Sequence, residues 1–328
     1  MKHKIMKTTI FLGILDTITI IILITIYGNF TSFQDWWITT SVATGSHKYF
    51  ANIFYSDNTI KNVLRNNIIT ETNEEVNLDN ITFNTNTTKN YESIYDEQIL
   101  NHDPNDLYKL IKIDEKDYNG YLVAIYDPSR ISLATSEYGK KLTQISKEND
   151  AIVAINASGF NTSNSKANGI VIKDSKVHSN IGVNRHGGGL IGFTKNNVLM
   201  LTTENSYKAI EKGLKDAVEF GPFLIVNGKS SKVKGNGGMG VANRTAIAQR
   251  KDGIVLFLVI DGRGANNSKG ISIEDMIKLL ERYKAYNAAN LDGGGSSTLV
   301  INHKLINNPK GFYGDEYQRY LPNAWIVK

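Results

Sequence analysis

Thr245-Ala-Ile-Ala-Gln-Arg-Lys-Asp-Gly-Ile-Val-Leu-Phe-Leu-Val-Ile260 is the stretch whose reading decides the fold. Two apolar runs meet at Asp252-Gly253, a dipeptide suited to a tight hairpin, whose central residues take positive φ. The second run is continuously apolar and reads as a strand buried on both faces. It passes directly into Asp261-Gly262-Arg263. The same punctuation recurs outward along the chain. Residues 169–177 read as a hairpin around Lys173-Asp174, and residues 189–202 as another around Asn196-Asn197. Residues 223–226 precede an Asn227-Gly228 turn. Residues 121–126 are an apolar run between Asn119-Gly120 and Asp127-Pro128, and residues 151–155 form a buried strand that ends in Asn156. Residues 297–301, 305–306 and 324–327 are strand-like as well. Helices are fewer. Ser272 caps a segment with Ile273, Met276, Ile277 and Leu280 on a helical period, with Asp275 placed as in a capping box. Residues 136–146 read as a second capped helix. Strands that follow one another through tight turns predict an α+β fold with mostly antiparallel hairpins, rather than a doubly wound parallel sheet.

The chain has 328 residues, 41% of them hydrophobic, which allows a sizeable core in one large domain or two small ones. It has no Cys, which excludes disulfides, Cys-zinc sites and thiol catalysis. The formal charge of +5 is modest, and no dense Lys/Arg run with interleaved aromatics is present, so nucleic acid is not an expected partner. Residues 8–27 are about one membrane thickness of mostly Ile, Leu and Thr. Asp16 within them costs roughly 2.5–3.5 kcal/mol at a helix centre, which the surrounding Ile and Leu offset. Lys2, Lys4 and Lys7 precede the run, so the positive-inside rule puts the N-terminus in the cytoplasm and the remainder outside. The competing reading is a cleaved signal peptide. The length of the run and the lack of a small-x-small site after it favour an uncleaved anchor in the cell membrane.

Composition then divides the chain into a cytoplasmic tip and transmembrane anchor (residues 1–28), a polar stalk or linker (29–106) and a catalytic domain (107–328). Within the stalk, residues 70–90 carry few large apolar side chains and read as flexible. A short helix fits residues 49–64, and Trp36 and Trp37 suit the membrane interface.

Apolar strands run into polar residues and glycine at Asn156-Ala-Ser-Gly-Phe160, at Asp261-Gly-Arg263 and at Asp292-Gly-Gly-Gly-Ser-Ser297. A rigid strand end presents its polar residue at the rim of a sheet, where sites form. Gly293, Gly294 and Gly295 let a ligand approach the backbone, and their successive N–H groups suit an anion. Ser296 and Ser297 add hydroxyl donors. The competing reading is a hairpin turn capped by Asp292. Asp261, Asp292 and Glu219 supply more than the two carboxyl groups a glycosidic cleavage requires, though each alone also suits a turn cap or a structural salt bridge. Arg244 and Arg263 flank the same hairpin, and a guanidinium fork matches a phosphate. His186, before Gly187-Gly188-Gly189, reads as an ordinary loop residue, with a proton donor as the competing reading. There is no Walker loop, Rossmann fingerprint, HExxH or G-x-S-x-G elbow. No cofactor is required. Asp261, Asp292 and Asn156 are oxygen ligands of a kind that suits a divalent cation, but the spacing does not show one.

Together these segments resemble the phosphodiester glycosidase family. The resemblance rests on Asn156-Ala-Ser-Gly-Phe160, Gly221-Pro-Phe-Leu224, Arg244-Thr-Ala-Ile247, Asp261-Gly-Arg263, Asn290-Leu-Asp-Gly-Gly-Gly-Ser-Ser297 and Pro322-Asn-Ala324, with departures at 157, 158 and 160. It covers residues 107–328. It implies hydrolysis between a sugar's anomeric carbon and a phosphodiester. Asp261, Asp292 and Glu219 would then be the acid, base and nucleophile candidates. Arg244 and Arg263 would hold phosphate, while Asn156 and residues 293–297 would position substrate oxygens. With the anchor, the expected substrate is a cell-surface glycopolymer or other sugar-phosphate. The competing functions are a non-catalytic module that binds anionic glycopolymers and a glycosyl-phosphate transferase of exopolysaccharide assembly.

Overall fold

The computed structural model describes residues 2–28, 30–43, 48–83, 91–182, 187–311 and 317–328. Contacts divide the chain into two compact units, Met1–Ile68 with Val233–Gly240, and Ile69–Lys232 with Val241–Lys328. This division differs from the one that composition suggests, because residues 69–106 belong with the sheets.

The first unit is helical. It contains α1 (Lys2–Tyr27), α2 (Thr31–Ala43), α3 (Lys48–Phe54) and α4 (Asp57–Asn66). Ser56 caps α4 by accepting from the Thr59 amide. Ile38, Ala51, Tyr55, Ile60 and Val63 form its small core, with Ile26 packed against them.

The second unit carries α5 (Ile94–Leu100), α6 (Leu142–Glu148), α7 (Ser206–Glu211) and α8 (Ile273–Arg282). Its strands run β1 (Tyr108–Asp114), β2 (Asn119–Ile125), β3 (Ile131–Lys140), β4 (Val153–Asn156), β5 (Gly169–Lys173), β6 (Lys176–Ile181), β7 (Gly189–Thr194), β8 (Leu199–Thr202) and β9 (Leu214–Phe220). They continue with β10 (Phe223–Val226), β11 (Lys229–Ser230), β12 (Arg244–Arg250), β13 (Val255–Ile260), β14 (Ala285–Leu291), β15 (Leu299–Ile301), β16 (Lys304–Leu305) and β17 (Leu321–Val327). The main sheet has the order β11-β10-β14-β12-β13-β2-β1. A closing sheet has the order β16-β15-β4-β17-β3, and a lateral sheet β8-β7-β9-β5-β6. Neighbouring strands pair antiparallel throughout these sheets. The α+β, antiparallel expectation therefore holds.

Strand alternation explains the core. Ile247, Phe257, Val259 and Leu291 of the main sheet meet Ile155, Leu299 and Trp325 of the closing sheet and Val171, Phe193 and Val218 of the lateral sheet in one buried cluster. Each sheet has a helix on its other face. Leu142 and Ile145 of α6 pack on the closing sheet, Ala209 of α7 on the lateral sheet, and α8 on β10 and β14.

The turns form where sequence chemistry requires them. Asp174, Ser175, Asn197, Asn227 and Gly253 all take positive φ at hairpin tips. Ser272 accepts from the Asp275 amide, as a helix cap should. Only the second half of the helix expected at residues 136–146 forms. Ile131 to Lys140 is strand, with Ile131, Leu133 and Ala134 buried, and the helix starts only at Leu142. Pairing with β17 over residues 131–140 outweighs the local helical pattern.

The segment expected to be flexible is fastened where it is described. Glu71 accepts from the amides of Gly188 and Phe223, Asn77 donates to Asn227, and the Thr82 amide donates to Lys251. Further on, α5 is held by a buried cation. The Arg250 guanidinium donates to Asp96, to Asp252 and to the Tyr283 carbonyl, and Lys284 also reaches Asp96 at 2.5 Å. Asp96 is only 3% exposed. Burial alone would raise its carboxyl, but the two cations together hold it below the usual range. Removing one partner of such a buried pair strands the other charge. Asp96→Ala should therefore cost about 3–5 kcal/mol in urea unfolding. A cost under about 1 kcal/mol, the level of exposed surface pairs, would mean that α5 is not an integral part of this unit.

Candidate functional site

The site follows from strand direction. β13 and β14 both run antiparallel to β12, so their C-terminal ends lie at its start. Arg244 pairs with Ile260 and Thr245 with Leu291. Asp261 and Asp292, each one residue past its strand, therefore flank the first residues of β12. The chain entering β10 arrives at the same edge, with Asn290 donating to Gly221 from its side chain and to Pro222 from its backbone. The end of the closing sheet meets this edge through Asn156. Its Oδ1 accepts from Thr245 Oγ1 and from the Thr298 amide, and its Nδ2 donates to the Asp292 carbonyl at 2.6 Å.

Gly293, Gly294 and Gly295 follow, and each leaves little room for a side chain. A Cβ on Gly293 would lie 2.9 Å from the Asn243 carbonyl, whose oxygen accepts from the Gly294 amide. Gly294 has φ of +60°. A Cβ there would sit 3.3 Å from Arg263 Nη2, and one on Gly295 would sit 3.1 Å from Arg319 Nε. The loop thus lies against two guanidinium groups, and Gly293 lies over the Arg244 side chain as well. Arg263 itself takes a left-handed φ of +54° and donates to the Lys310 carbonyl. A non-glycine residue in that region stores about 1 kcal/mol or more of strain. Arg244 is buried, and burial lowers its guanidinium to about 10.

Asp292 is half-buried at the mouth of this loop. Burial raises its carboxyl to about 6, against hydrogen bonds from Ser296 and the Gly293 amide and the charge of Arg319. Arg319 also donates weakly to Ser296 Oγ, at 3.4 Å. Arg319 was not among the residues singled out from sequence. The signal was present, since it stands just before the strand carrying Pro322-Asn-Ala324, much as Arg244 opens the strand at Thr245.

Other candidates occupy different places from those expected. Asp261 is fully buried, not presented at the rim. Its Oδ1 accepts from Asn307 and from the Asn308 amide, its Oδ2 from Asn266, and its carbonyl from Ser268. Burial raises its carboxyl in spite of those donors. Asn307 also donates to the Ser297 carbonyl, so Asp261 braces the glycine-rich loop from behind. Asn156 is likewise fully buried, and all its side-chain atoms are committed to protein partners. Glu219 sits on β9, and its Oε2 accepts from the Ile170 amide within the lateral sheet. Ser158 is joined to Asn323 through three hydrogen-bond contacts, which makes one buried joint of two segments in the family resemblance. Ser297 is buried, and among the described residues its hydroxyl has no hydrogen-bond partner. Asn243 is buried too, and neither atom of its side-chain amide has one. His186 lies outside the described residues. Among the described residues no group of three or more His, Asp or Glu side chains is placed to hold a metal ion.

Comparison with known proteins gives an independent reading. A family model described as phosphodiester glycosidase matches residues 149–328. The SPbeta prophage-derived uncharacterized protein YomE of Bacillus subtilis (strain 168) is 31% identical over 189 residues, which is 56% of this chain and 29% of that protein. Human N-acetylglucosamine-1-phosphodiester alpha-N-acetylglucosaminidase is 25% identical over 186 residues, 52% of this chain and 36% of that protein. The chain thus spans about a third of the length of these curated relatives. The catalytic domain of the zebrafish enzyme of the same name, auto-inhibited by its pro-peptide, superposes with a TM-score of 0.57 at 20% identity. That match covers 69% of this chain and 85% of that domain, and it shows a shared fold.

The raised Asp292 carboxyl has a consequence for stability. The folded state holds this proton up to about pH 6, while an unfolded Asp releases it near pH 3.9. Folding therefore binds a proton between those values, and stability falls as pH rises through the window. Asp292→Asn removes that loss. The melting temperature of the variant relative to wild type should rise as pH goes from about 4 to about 7. A difference that is flat with pH, or that falls, would contradict the raised carboxyl.

Proposed function

The chain belongs to the phosphodiester glycosidase family, and we propose that it hydrolyses the bond between a sugar's anomeric carbon and a phosphodiester. The products are a free sugar and a phosphomonoester, as the name of the N-acetylglucosamine-1-phosphodiester alpha-N-acetylglucosaminidases implies for those relatives. The observation that carries the proposal is the pairing of a carboxyl raised to about 6 with the arginines at the Gly293–Gly295 loop.

On this reading Asp292 is the reacting carboxylate, acting on the anomeric centre as nucleophile or on water as general base. Above about pH 6 it is ionised, and at that basicity it is well matched to reaction near neutral pH. The leaving phosphomonoester gains negative charge as the bond breaks. Arg263 and Arg319 receive that charge at the exposed side of the loop, and Arg244 contributes a buried positive field beneath it. The Gly295 amide and the Ser296 hydroxyl position substrate oxygens. Glu219, on the strand that leads into Gly221-Pro222, is the candidate for a second carboxyl, with the oxygen that the Ile170 amide does not hold. Asp261 and Asn156 are positioning residues that hold the loop in register.

The location we propose is the cell membrane, with the sheet unit outside. Ile10–Tyr27 is one helix long and apolar enough to cross a bilayer, and Lys2, Lys4 and Lys7 stand on its N-terminal side. An outward-facing site suits sugar-1-phosphodiesters in cell-surface glycopolymers.

The test is turnover of a model sugar-1-phosphodiester, followed by release of free sugar and phosphomonoester. Wild-type kcat should rise with pH through about 6 and then level off. Asp292→Asn should lower it by about 10²–10⁴-fold with the protein still folded. Arg319→Ala should mainly raise KM and weaken inhibition by a phosphomonoester. No turnover across several sugars, from folded protein, would overturn the assignment. Unchanged turnover by Asp292→Asn would overturn the role of that residue. If wild type and Asp292→Asn bind the polymer equally well and neither turns anything over, the protein is a binding module instead.

A further inference from the structure

The geometry points to a second lipid contact in the helical unit: we propose that α2 and α3 lie in the headgroup zone of the bilayer and hold it through exposed aromatic side chains. The inference rests on the reading of α1 as a membrane anchor. Its argument comes from side chains outside that helix.

The helical unit is fixed to the C-terminal end of α1. Ile26 packs into the small core of α2, α3 and α4, and Tyr55 Oη donates to the Ile26 carbonyl. Whatever depth α1 takes in the bilayer, α2 and α3 therefore begin where it ends. The surface they present there is apolar and aromatic. Trp36 is 53% exposed, Tyr49 55%, Ile53 60% and Phe50 36%. Phe30, also exposed, links the end of α1 to α2. These groups do not stand singly. Trp36 packs edge-on against Trp37 at 6.2 Å between centroids, Trp37 against Phe54 at 5.6 Å, and Tyr49 against Phe50 at 4.2 Å. The Trp37 indole N–H is already used by the Phe50 carbonyl, which ties α2 to α3.

Leaving such side chains in water forgoes the free energy gained by burying their apolar surface. Two observations select lipid as what covers them. Tyr27 and Phe30, between this patch and α1 in the chain, are exposed, and so are the apolar residues of α1 itself. Its residue types are also those of the membrane interface, where a ring sits among acyl chains while an indole N–H or phenol O–H stays wet. α4 on the same core differs. Its apolar residues Ile60, Val63 and Leu64 all pack into that core, and its other side chains are polar, so it has no comparable surface to bury.

The test uses the full chain, which contains only three Trp. It is reconstituted into phosphatidylcholine vesicles whose lipids carry a quenching spin label either near the headgroup or near the acyl terminus. Trp325 lies in the core and is fully buried, so it contributes a constant background. The part of the emission lost in Trp36→Phe should be quenched about twofold or more better by the shallow label than by the deep one. Equal or absent quenching of vesicle-bound protein would overturn the proposal and leave the anchor standing. Shielding of Trp36 from both lipid labels and aqueous iodide would also overturn it, in favour of a second protein copy on this face. Failure of the chain to float with the vesicles would contradict the anchor, and this contact with it.

Discussion

The Asn156 side chain is the joint on which the rest of the site depends. It is fully buried between two sheets and satisfies three partners at once: a hydroxyl on β12, an amide leading into β15, and the carbonyl of Asp292. A buried amide with every group satisfied strengthens in the low-dielectric interior, whereas one left half-satisfied costs about 1–3 kcal/mol for each orphaned group. The consequence is geometric. The main sheet and the closing sheet cannot slide past one another at this edge without breaking several bonds together. The glycine-rich loop after Asp292 is therefore held at a fixed height, even though its own residues carry no side chain large enough to pack.

That rigidity makes the electrostatics possible. Asp292 stands where burial penalises its charge, and Ser296, the Gly293 amide and Arg319 only partly offset the penalty. Asp261 receives the opposite treatment in form. It is buried more completely but given donors on both oxygens, so it serves as a brace behind the loop. Two acids that look alike in sequence, each closing an apolar strand, have different surroundings: Asp261 has donors on both oxygens, and the proposed reacting group, Asp292, is half-buried beside the arginines. The arginines follow the same logic. Arg263 accepts a left-handed backbone, and the loop accepts glycines, so that guanidinium groups and backbone amides can approach one small volume.

Much of this was legible in the sequence, for identifiable reasons. Hairpins announced themselves wherever Asp-Gly, Asn-Gly or Asn-Asn interrupted apolar runs, because positive φ limits the residues that fit there. The convergence of the segments at Asp261, Asp292 and Arg244 was legible because all close or open strongly apolar strands. What was hidden depended on distant partners. Residues 136–140 read locally as the start of a helix and instead end a strand that pairs with β17, far along the chain. Residues 69–83 look like a polar tether, yet Glu71 finds two amides and Asn77 finds Asn227. Burial of Asp261 depends on Asn266, Asn307 and Asn308, and no local pattern marks those residues as its donors. Arg319 has only its place before Pro322-Asn-Ala324 as a local signal, and its role becomes clear beside Gly295.

The account turns on one group being chemically available while its look-alike is structural. The most direct measurement is the titration of Asp292 in the folded protein, followed by the carbon-13 shift of its side-chain carboxyl and assigned with Asp292→Asn. A midpoint near 6 is the result expected from its burial. A midpoint near 3.9, the value of an unperturbed aspartate, would mean that the carboxyl is solvated and that the glycine-rich loop does not create the environment described.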